Sequence, residues 1–369
     1  MAPGMISADS HVMEPPNCYI DHIDPKYRDV APRMVRGEER GDYFVVEGIP
    51  KPIDIGLIVA AGLDPTTLRI AGRRFEDTYP GGWDPKARMA DQDRDGIAAE
   101  IIYASVGMMI CNLEDGDYKH ACMWAYNRWL QEFCAGAPER LYGLGMAAMR
   151  TPEDGVKELA KIKEMGFAGV MMPGQPCEAD YDDPRYDQVW QAAVDLEMPL
   201  AFHILTNRSD SLKHRGPRIA AFQSIMRGVQ DVVALMIYSG VFARFPELKM
   251  VVAEADAGWV PHYTYRMDHA FERHRHWMKG AAIERRPSEY FFENVWLTFQ
   301  DDWTAIKYRH DMNADRLLWA NDYPHSDATW PKSQQLLAEQ RGDMSDAEFR
   351  RLTHDNCAEL FGISTDHNQ

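Results

Sequence analysis

Acidic and imidazole side chains stand at the ends of several short apolar runs in this 369-residue sequence. Asp9 and His11 end the first run, and His203, Glu254 and Asp322 end three later runs. Short apolar runs that alternate with helical patterns predict the parallel strands of an α/β fold. In a barrel of such strands the carboxyl ends form one rim, where the active site lies. We therefore expect these five side chains to converge on one point.

The residue types at this rim favour a divalent metal ion. Asp9 and His11 are two positions apart, so both side chains leave the same face of a strand. Carboxylates and imidazoles suit Zn²⁺, Mn²⁺ or Fe²⁺, and no thiolate is in reach to favour a closed structural site. We predict one catalytic ion, or two, with Asp9, His11, His203 and Asp322 as ligands. The competing interpretation makes each residue a hydrogen-bonded structural group or a helix cap, but their concurrence at strand ends argues against it.

The order of the elements predicts a TIM (β/α)8 barrel that occupies residues 1–369 as one domain. Eight strands are expected at residues 5–8, 99–103, 142–147, 169–172, 199–204, 249–254, 294–298 and 317–320. Helices are expected at residues 117–135, 152–165, 184–196, 218–242, 259–278, 303–309 and 345–361. Residues 15–85, rich in Pro, Gly and charge, interrupt this order. We interpret them as an insertion between the first and second strands that covers the barrel mouth and contains a short hairpin near residues 43–49.

The composition excludes several kinds of partner. The formal net charge is −17, from 40 Lys and Arg against 57 Asp and Glu, which argues against binding to nucleic acid or anionic lipid. The longest apolar runs are too short to span a bilayer. Six scattered cysteines without a C-x-x-C pair suit a reducing compartment, and the N-terminus lacks a signal-peptide pattern. We therefore expect a cytoplasmic protein that acts on a small molecule.

Four segments resemble the amidohydrolase superfamily, in the branch that includes aminocarboxymuconate-semialdehyde decarboxylase. They are ADSHVMEP at residues 8–15, GVFARFPELK at 240–249, EADAGWVP at 254–261 and NDYPHSDATWP at 321–331. The last segment is the most specific, and together they reach from the first strand to the last. The resemblance implies metal ligands at Asp9, His11, His203 and Asp322. Because the family often forms dimers, it also leads us to expect a homodimer.

Two positions depart from the family's usual pattern. The usual first-strand pair is His-x-His or Glu-x-His, whereas this chain has Asp9 and His11. At the sixth strand many members carry a histidine that takes part in proton transfer, and this chain has Glu254, with Asp256 close by. A glutamate there could orient a metal-bound water or help to hold a second ion. The replacement therefore favours hydrolysis over decarboxylation.

We accordingly predict a metal-dependent hydrolase of a small carbonyl compound, such as an amide, an ester, a thioester or a cyclic carboxylate. A metal-bound water with a pKa of about 7 would attack the carbonyl, Asp322 would shuttle the proton, and Glu254 and His325 would be further catalytic residues. The alternative is a non-oxidative decarboxylase of an aromatic or unsaturated acid, in which the metal binds the substrate carboxylate. A third interpretation is a barrel that binds a ligand without turning it over.

Other residues near the rim are candidates for substrate contact. Asn207 and Arg208 follow the fifth strand, and an arginine is suited to bidentate recognition of a carboxylate. Trp330 is a candidate wall of the pocket. Each also has a plainer interpretation, as a surface-loop residue or as packing. Neither the substrate nor the identity of the metal follows from the sequence.

Overall fold

The structure is a computed structural model that describes residues 4–207, 216–278 and 282–364. Its β-strands are β1 Met5–His11, β2 Arg33–Gly37, β3 Gly41–Val45, β4 Ile53–Asp54, β5 Ile97–Tyr103, β6 Leu141–Met146, β7 Gly169–Met172, β8 Leu200–His203, β9 Met250–Ala253, β10 Val295–Phe299 and β11 Leu317–Trp319. Its α-helices are α1 Cys18–His22, α2 Pro85–Asp95, α3 Val106–Ile110, α4 Gly116–Ala135, α5 Pro152–Glu164, α6 Asp187–Asp195, α7 Arg227–Tyr238, α8 Val241–Arg244, α9 Val260–His274, α10 Pro287–Asn294, α11 Trp303–Lys307, α12 Ser333–Gln340, α13 Asp346–Arg350 and α14 Asn356–Phe361. Short 3₁₀ helices cover Pro25–Val30, Pro65–Thr67, Phe75–Asp77, Pro80–Gly82, Pro184–Tyr186, Arg218–Gln223, Arg309–Asp311 and Ala314–Arg316, and a π-helical turn covers Arg351–Asp355.

Eight of the strands, β1 and β5 to β11, form a nearly closed barrel. Each pairs in parallel with the next strand along the chain, from β1 with β5 to β10 with β11. Every residue of the strands from β7 to β11 is buried, as expected for parallel strands that helices cover from outside. The (β/α)8 barrel predicted from the sequence is confirmed.

Backbone hydrogen bonds join the first and last strands at the rim. The Asp322 N–H donates to the Asp9 carbonyl over 3.0 Å, and the His11 N–H donates to the Tyr323 carbonyl over 2.6 Å. One residue before Asp322, the Asn321 N–H donates to the Ser7 hydroxyl over 2.9 Å. The two ends of the barrel sequence are therefore held side by side at the point where the candidate ligands lie.

The segment between β1 and β5 contains a small antiparallel sheet of β2, β3 and β4. The hairpin expected near residues 43–49 is observed as the pair β3 and β4, with its turn over residues 46–52. A second turn, at residues 38–40, joins β2 to β3. That the whole chain is one domain stays a prediction.

Part of this insertion lies against the loop that follows the last barrel strand. The N–H groups of Ala60 and Ala61 donate to the Pro324 carbonyl over 2.9 and 3.0 Å. The Ser326 N–H donates to the Leu57 carbonyl over 2.8 Å. Because Pro324 and Ser326 come directly after the carboxyl end of β11, the insertion is anchored at the mouth of the barrel.

Several helices differ from the predicted ones. The helix expected at residues 218–242 is three separate segments, and Gly240, with a φ of +76°, turns the chain between α7 and α8. The π-helical turn interrupts the helix expected at residues 345–361. The helices α2, α3, α10 and α12 lie where none is predicted, although Asp84, Pro85 and the left-handed Gly96 are ordinary signals for the ends of α2. Within the described ranges, no helix is both long and apolar enough to cross a membrane.

A buried ion pair between Arg88 and Glu100 joins α2 to β5. Arg88 Nε donates to Glu100 Oε2 over 2.6 Å, and both side chains are buried. Arg88 Nη1 also donates to the carbonyls of His11, over 2.8 Å, and Gly81, over 3.2 Å. The guanidinium lies 4.5 Å from the centre of the Tyr323 ring. Arg88 Nη2 also donates to the Tyr323 carbonyl over 3.4 Å, so this residue links α2 and β5 to the backbone of both chain segments that carry rim residues.

We predict that Arg88→Met destabilises the protein by about 3–5 kcal/mol, because it leaves the Glu100 carboxylate buried and without its charged partner. The free energy of unfolding is measured by urea titration. The matched control is Arg285→Met, which removes an exposed pair with Glu293 and should change stability by less than about 1 kcal/mol. Equal losses for the two variants would contradict a special role for the buried pair.

Candidate metal and active site

Strand β1 directs two candidate ligands into the barrel. Asp9 and His11 are fully buried, and His11 Nε2 lies 3.3 Å from Asp9 Oδ1. His11 Nδ1 lies 3.1 Å from the Ala104 carbonyl, which can only accept a hydrogen bond. The proton of a neutral His11 ring is therefore on Nδ1, so the lone pair of Nε2 faces the centre of the barrel.

His203, at the end of β8, has the same arrangement. Its Nδ1 lies 3.0 Å from the Ile204 carbonyl, which places the lone pair on Nε2. The Nε2 atoms of His203 and His11 are 3.2 Å apart. Two nitrogen lone pairs at this distance repel each other unless a cation or a proton lies between them. The contact therefore indicates where positive charge is needed.

Two further carboxylates reach the same space from β9 and β11. Glu254 Oε2 lies 3.0 Å from His203 Nε2 and 3.3 Å from His11 Nε2. Asp322 Oδ1 lies 3.6 Å from His11 Nε2. Glu254 and Asp322 have φ angles of 55° and 52°, a left-handed conformation that is strained for residues other than glycine. Strained backbone concentrates at functional sites, where the surrounding structure holds it in place.

Several oxygen atoms around this space are buried and have no hydrogen-bond partner: Asp9 Oδ1, Glu254 Oε2, and Asp322 Oδ1 and Oδ2. Donor atoms within 4.8 Å of one another form two overlapping groups, Asp9 with His11, His203 and Glu254, and His11 with Glu254, Asp322 and His325. A buried carboxylate without a partner is costly, and a coordinated cation satisfies it. The set of oxygen and nitrogen donors therefore fits a divalent metal ion.

The charges in this space shift the pKa values of its groups. Burial alone would lower the pKa of His203, but the carboxylates of Asp9 and Glu254 outweigh it and raise that pKa to about 10. Burial, together with the negative charges of Glu254 and Asp9, raises the pKa of Asp322 well above its ordinary range. Burial holds the pKa of His325 well below its ordinary value. The carboxylates around His203 thus favour positive charge in this space, and the raised pKa of Asp322 reflects the excess of negative charge there.

His325 lies beside the candidate ligands. Its ring stacks on the His11 ring with the centroids 3.9 Å apart, and its Nδ1 lies 2.9 Å from Asp322 Oδ1. Its Nε2 lies 2.8 Å from the Ser105 hydroxyl. An imidazole is therefore in contact with Asp322, the carboxylate that follows β11, although the sixth barrel strand, β9, is followed by Glu254 and not by a histidine.

The structure also places two residues at the site that no sequence pattern singles out. The Thr298 hydroxyl, on β10, donates to Asp9 Oδ2 over 3.2 Å and accepts the Glu254 N–H over 2.9 Å. Ser105, in the loop after β5, contacts His325. Serine and threonine are common at strand ends, and only the three-dimensional structure distinguishes these two from the others.

Two of the three residues predicted to contact substrate are buried and donate hydrogen bonds to backbone carbonyls. Asn207 is buried, and its side-chain amide donates to the Gly228 carbonyl over 3.3 Å. Trp330 is also buried, its Nε1 donates to the Asp91 carbonyl over 3.0 Å, and its ring packs on Tyr323. Arg208 lies outside the described residues. Substrate contact by these three residues stays a prediction.

Two curated relatives match part or most of the chain. Decarboxylase orsB from Emericella nidulans is 23% identical over 200 residues, which cover 51% of this chain and 59% of that protein. The 2-amino-3-carboxymuconate-6-semialdehyde decarboxylase of Dictyostelium discoideum is 23% identical over 301 residues, which cover 80% of this chain and 81% of that protein. Both relatives are named as decarboxylases.

Solved structures with a similar fold cover nearly the whole chain. An amidohydrolase from Mycobacterium avium subsp. paratuberculosis K-10 has a TM-score of 0.78 and 22% identity, covering 99% of each chain. A 5-carboxyvanillate decarboxylase from Sphingomonas paucimobilis has a TM-score of 0.71 and 19% identity, covering 98% of this chain and 100% of that one. A dihydroxybenzoic acid decarboxylase from Polaromonas sp. JS666, with bound manganese and 2-nitroresorcinol, has a TM-score of 0.64 and 20% identity, covering 98% and 97%. These similarities support the barrel fold.

The hydrolase predicted from the sequence is wrong. Both curated relatives are decarboxylases, as are two of these structural neighbours, and they agree with the alternative of non-oxidative decarboxylation. The prediction relied on Glu254 replacing a histidine that transfers protons. The structure removes that argument, because His325 brings an imidazole to Asp322 from a different strand end.

The family model for amidohydrolases matches residues 13–363, which include all the barrel strands after β1. His203, Glu254, Asp322 and His325 all lie within the matched range. The chain therefore belongs to the amidohydrolase family.

Proposed function

We propose that the chain is a metal-dependent, non-oxidative decarboxylase of a small aromatic or unsaturated carboxylic acid. The observation that carries the proposal is the 2.9 Å contact between His325 Nδ1 and Asp322 Oδ1, which lies beside a space lined by buried carboxylate oxygens and imidazole nitrogens. Decarboxylation needs these two features together, one to bind the substrate and one to protonate the carbon that loses its carboxylate. The decarboxylase relatives support the same reaction class.

Asp9, His11, His203 and Asp322 are the proposed metal ligands, and Glu254 joins them because its Oε2 approaches both imidazole nitrogens. A divalent ion bound there supplies an electrophilic centre for a carboxylate or phenolate oxygen of the substrate. Mn²⁺ is the proposed ion, since carboxylate and imidazole ligands suit it and a structural neighbour contains manganese. Thr298 keeps Asp9 in place through its hydroxyl.

In the proposed reaction the bond between the substrate carbon and its carboxylate breaks, and carbon dioxide leaves. The carbon keeps the electron pair and takes one proton, so that no oxidant or reductant is consumed. We propose that this proton comes from the pair formed by His325 and Asp322, whose Nδ1 and Oδ1 atoms lie 2.9 Å apart.

Asn207, Arg208 and Trp330 remain the proposed substrate-contacting residues. A cytoplasmic location and a homodimeric state also stay predictions.

We predict that the protein reconstituted with Mn²⁺ retains about one ion per chain after gel filtration, because the site has at least four charged or imidazole ligands. His203→Ala and Asp322→Ala each remove one ligand and should weaken binding by at least about 100-fold. Elemental analysis after competition with a chelator measures this loss. His276→Ala, at an exposed histidine of the same protein, is the matched control and should retain the ion.

A wild-type protein that stays free of metal after reconstitution would contradict the proposed site. Loss of the ion from the His276→Ala control would show that the histidine substitutions act through the stability of the fold. Two ions per chain would agree with the overlapping donor groups that share His11 and Glu254.

We predict that the Mn²⁺-loaded protein releases carbon dioxide from an ortho-hydroxylated aromatic acid, tested first with 5-carboxyvanillate and dihydroxybenzoic acids. His325→Asn should lower kcat by about 10²- to 10⁴-fold, because it removes one member of the pair proposed to supply the proton. Carbon dioxide is measured by a coupled assay, and the product is identified by mass spectrometry.

The His325→Asn variant must contain as much metal as the wild type for this comparison to test proton transfer. Retention of kcat within about threefold in that variant would contradict the role of His325. Absence of carbon dioxide release from every acid tested, in a protein with a full complement of metal, would contradict the reaction class.

A further inference from the structure

The His325 ring is held on both sides. Its Nδ1 faces Asp322 Oδ1 over 2.9 Å, and its Nε2 lies 2.8 Å from the Ser105 hydroxyl oxygen. The Ser105 oxygen also lies 2.6 Å from the Val12 carbonyl. All four residues are buried, so water does not compete for these bonds.

The two partners of Ser105 determine which imidazole nitrogen carries a proton. A carbonyl oxygen can only accept, so the single hydroxyl proton of Ser105 is donated to Val12. The same oxygen must then accept a hydrogen bond from the Nε2–H of His325. With Nε2 protonated, Nδ1 is the ring nitrogen that faces Asp322 Oδ1, 2.9 Å away. The hydroxyl therefore sets both the angle of the ring and its tautomer.

Glu14 in turn holds the backbone that carries Ser105. Its buried Oε1 accepts the N–H groups of Ser105, over 3.1 Å, and Gly107, over 3.2 Å. A side chain at Gly107 would collide with Ala104 and Met146, so this loop packs closely against the barrel. Because Glu14 and Val12 both follow the β1 ligands, the loop after β5 is fixed relative to the metal site.

We propose that Ser105 is a positioning residue for proton transfer, which holds the His325 ring in the orientation and tautomer that direct Nδ1 to Asp322. This inference rests on the proposed function. It adds to that function Ser105, the residue after β5 that orients the His325 ring. The Ser105 hydroxyl acts through His325, whose Nε2 it contacts.

The first test requires no substrate. The protein is loaded with Zn²⁺, which is diamagnetic, and labelled with ¹⁵N-histidine, and the Nε2–H resonance of His325 is assigned by its loss in His325→Asn. We expect this resonance to be protected from exchange in the wild type and in Ser105→Thr, which keeps the hydroxyl, and to be lost in Ser105→Ala. Ser333→Ala removes another buried hydroxyl, one that is bonded to Asp95 and Thr329, and should leave the resonance unchanged. A protected resonance in Ser105→Ala would overturn the proposal.

The second test uses an acid that the wild type decarboxylates. Ser105→Ala should lower kcat by about 10- to 100-fold, as the loss of an orienting partner typically does, with KM within about twofold and metal content unchanged. Ser105→Thr should recover most of kcat. In the His325→Asn background, Ser105→Ala should cause no further loss, because the two residues act as one unit.

An equal loss of kcat from Ser105→Ala in both backgrounds would overturn the proposal and indicate a general structural role. If the wild type releases no carbon dioxide from any acid, the proposed function fails. The resonance experiment still decides whether Ser105 positions His325.

Discussion

Three carboxylates and two imidazoles face one another in a largely buried space, and the repulsion among their lone pairs constrains the rest of the structure. Asp9, Glu254 and Asp322 surround His11 and His203 with buried oxygens that have no hydrogen-bond partner, so this space favours positive charge. Their backbone adds to the cost, since a left-handed residue other than glycine costs about 1–3 kcal/mol, and two of the three are left-handed. The fully buried strands around the site supply the packing that offsets this strain.

The candidate ligands come from strand ends, and other groups orient them. The strands bring the carboxylates and imidazoles together, whereas backbone carbonyls and small hydroxyls decide which way each group points. His11 and His203 each use a carbonyl partner at Nδ1, and Thr298 serves Asp9. Groups oriented before the substrate arrives need no reorganisation during the reaction, which is the main way that enzymes stabilise developing charge. Chemistry at such a site depends on supporting residues that never contact the substrate.

Much of the fold could be predicted because each barrel strand is a short apolar run, and the candidate ligands stand directly after four of these runs. The helices were harder to predict, because α2 is rich in charge and the break at Gly240 depends on a single backbone angle. Ser105 and Thr298 could not be predicted, since their importance comes from contacts between segments that are distant in sequence. The error about hydrolysis has the same origin, because the substitution at Glu254 is visible in the sequence and the position of His325 is not.

The juxtaposition of Asp9 and Asp322 has a consequence for the biogenesis of the protein. These residues are separated by roughly 300 positions, so an ion bound by both closes a loop that includes most of the chain. The entropy lost on closing a loop grows only slowly with its length, and such a cross-link restricts the unfolded chain strongly. A ribosome must also synthesise nearly the whole protein before the last of these ligands emerges. Binding of an ion by the whole proposed ligand set would therefore be a late event, and a chain that ends before β11 would lack Asp322.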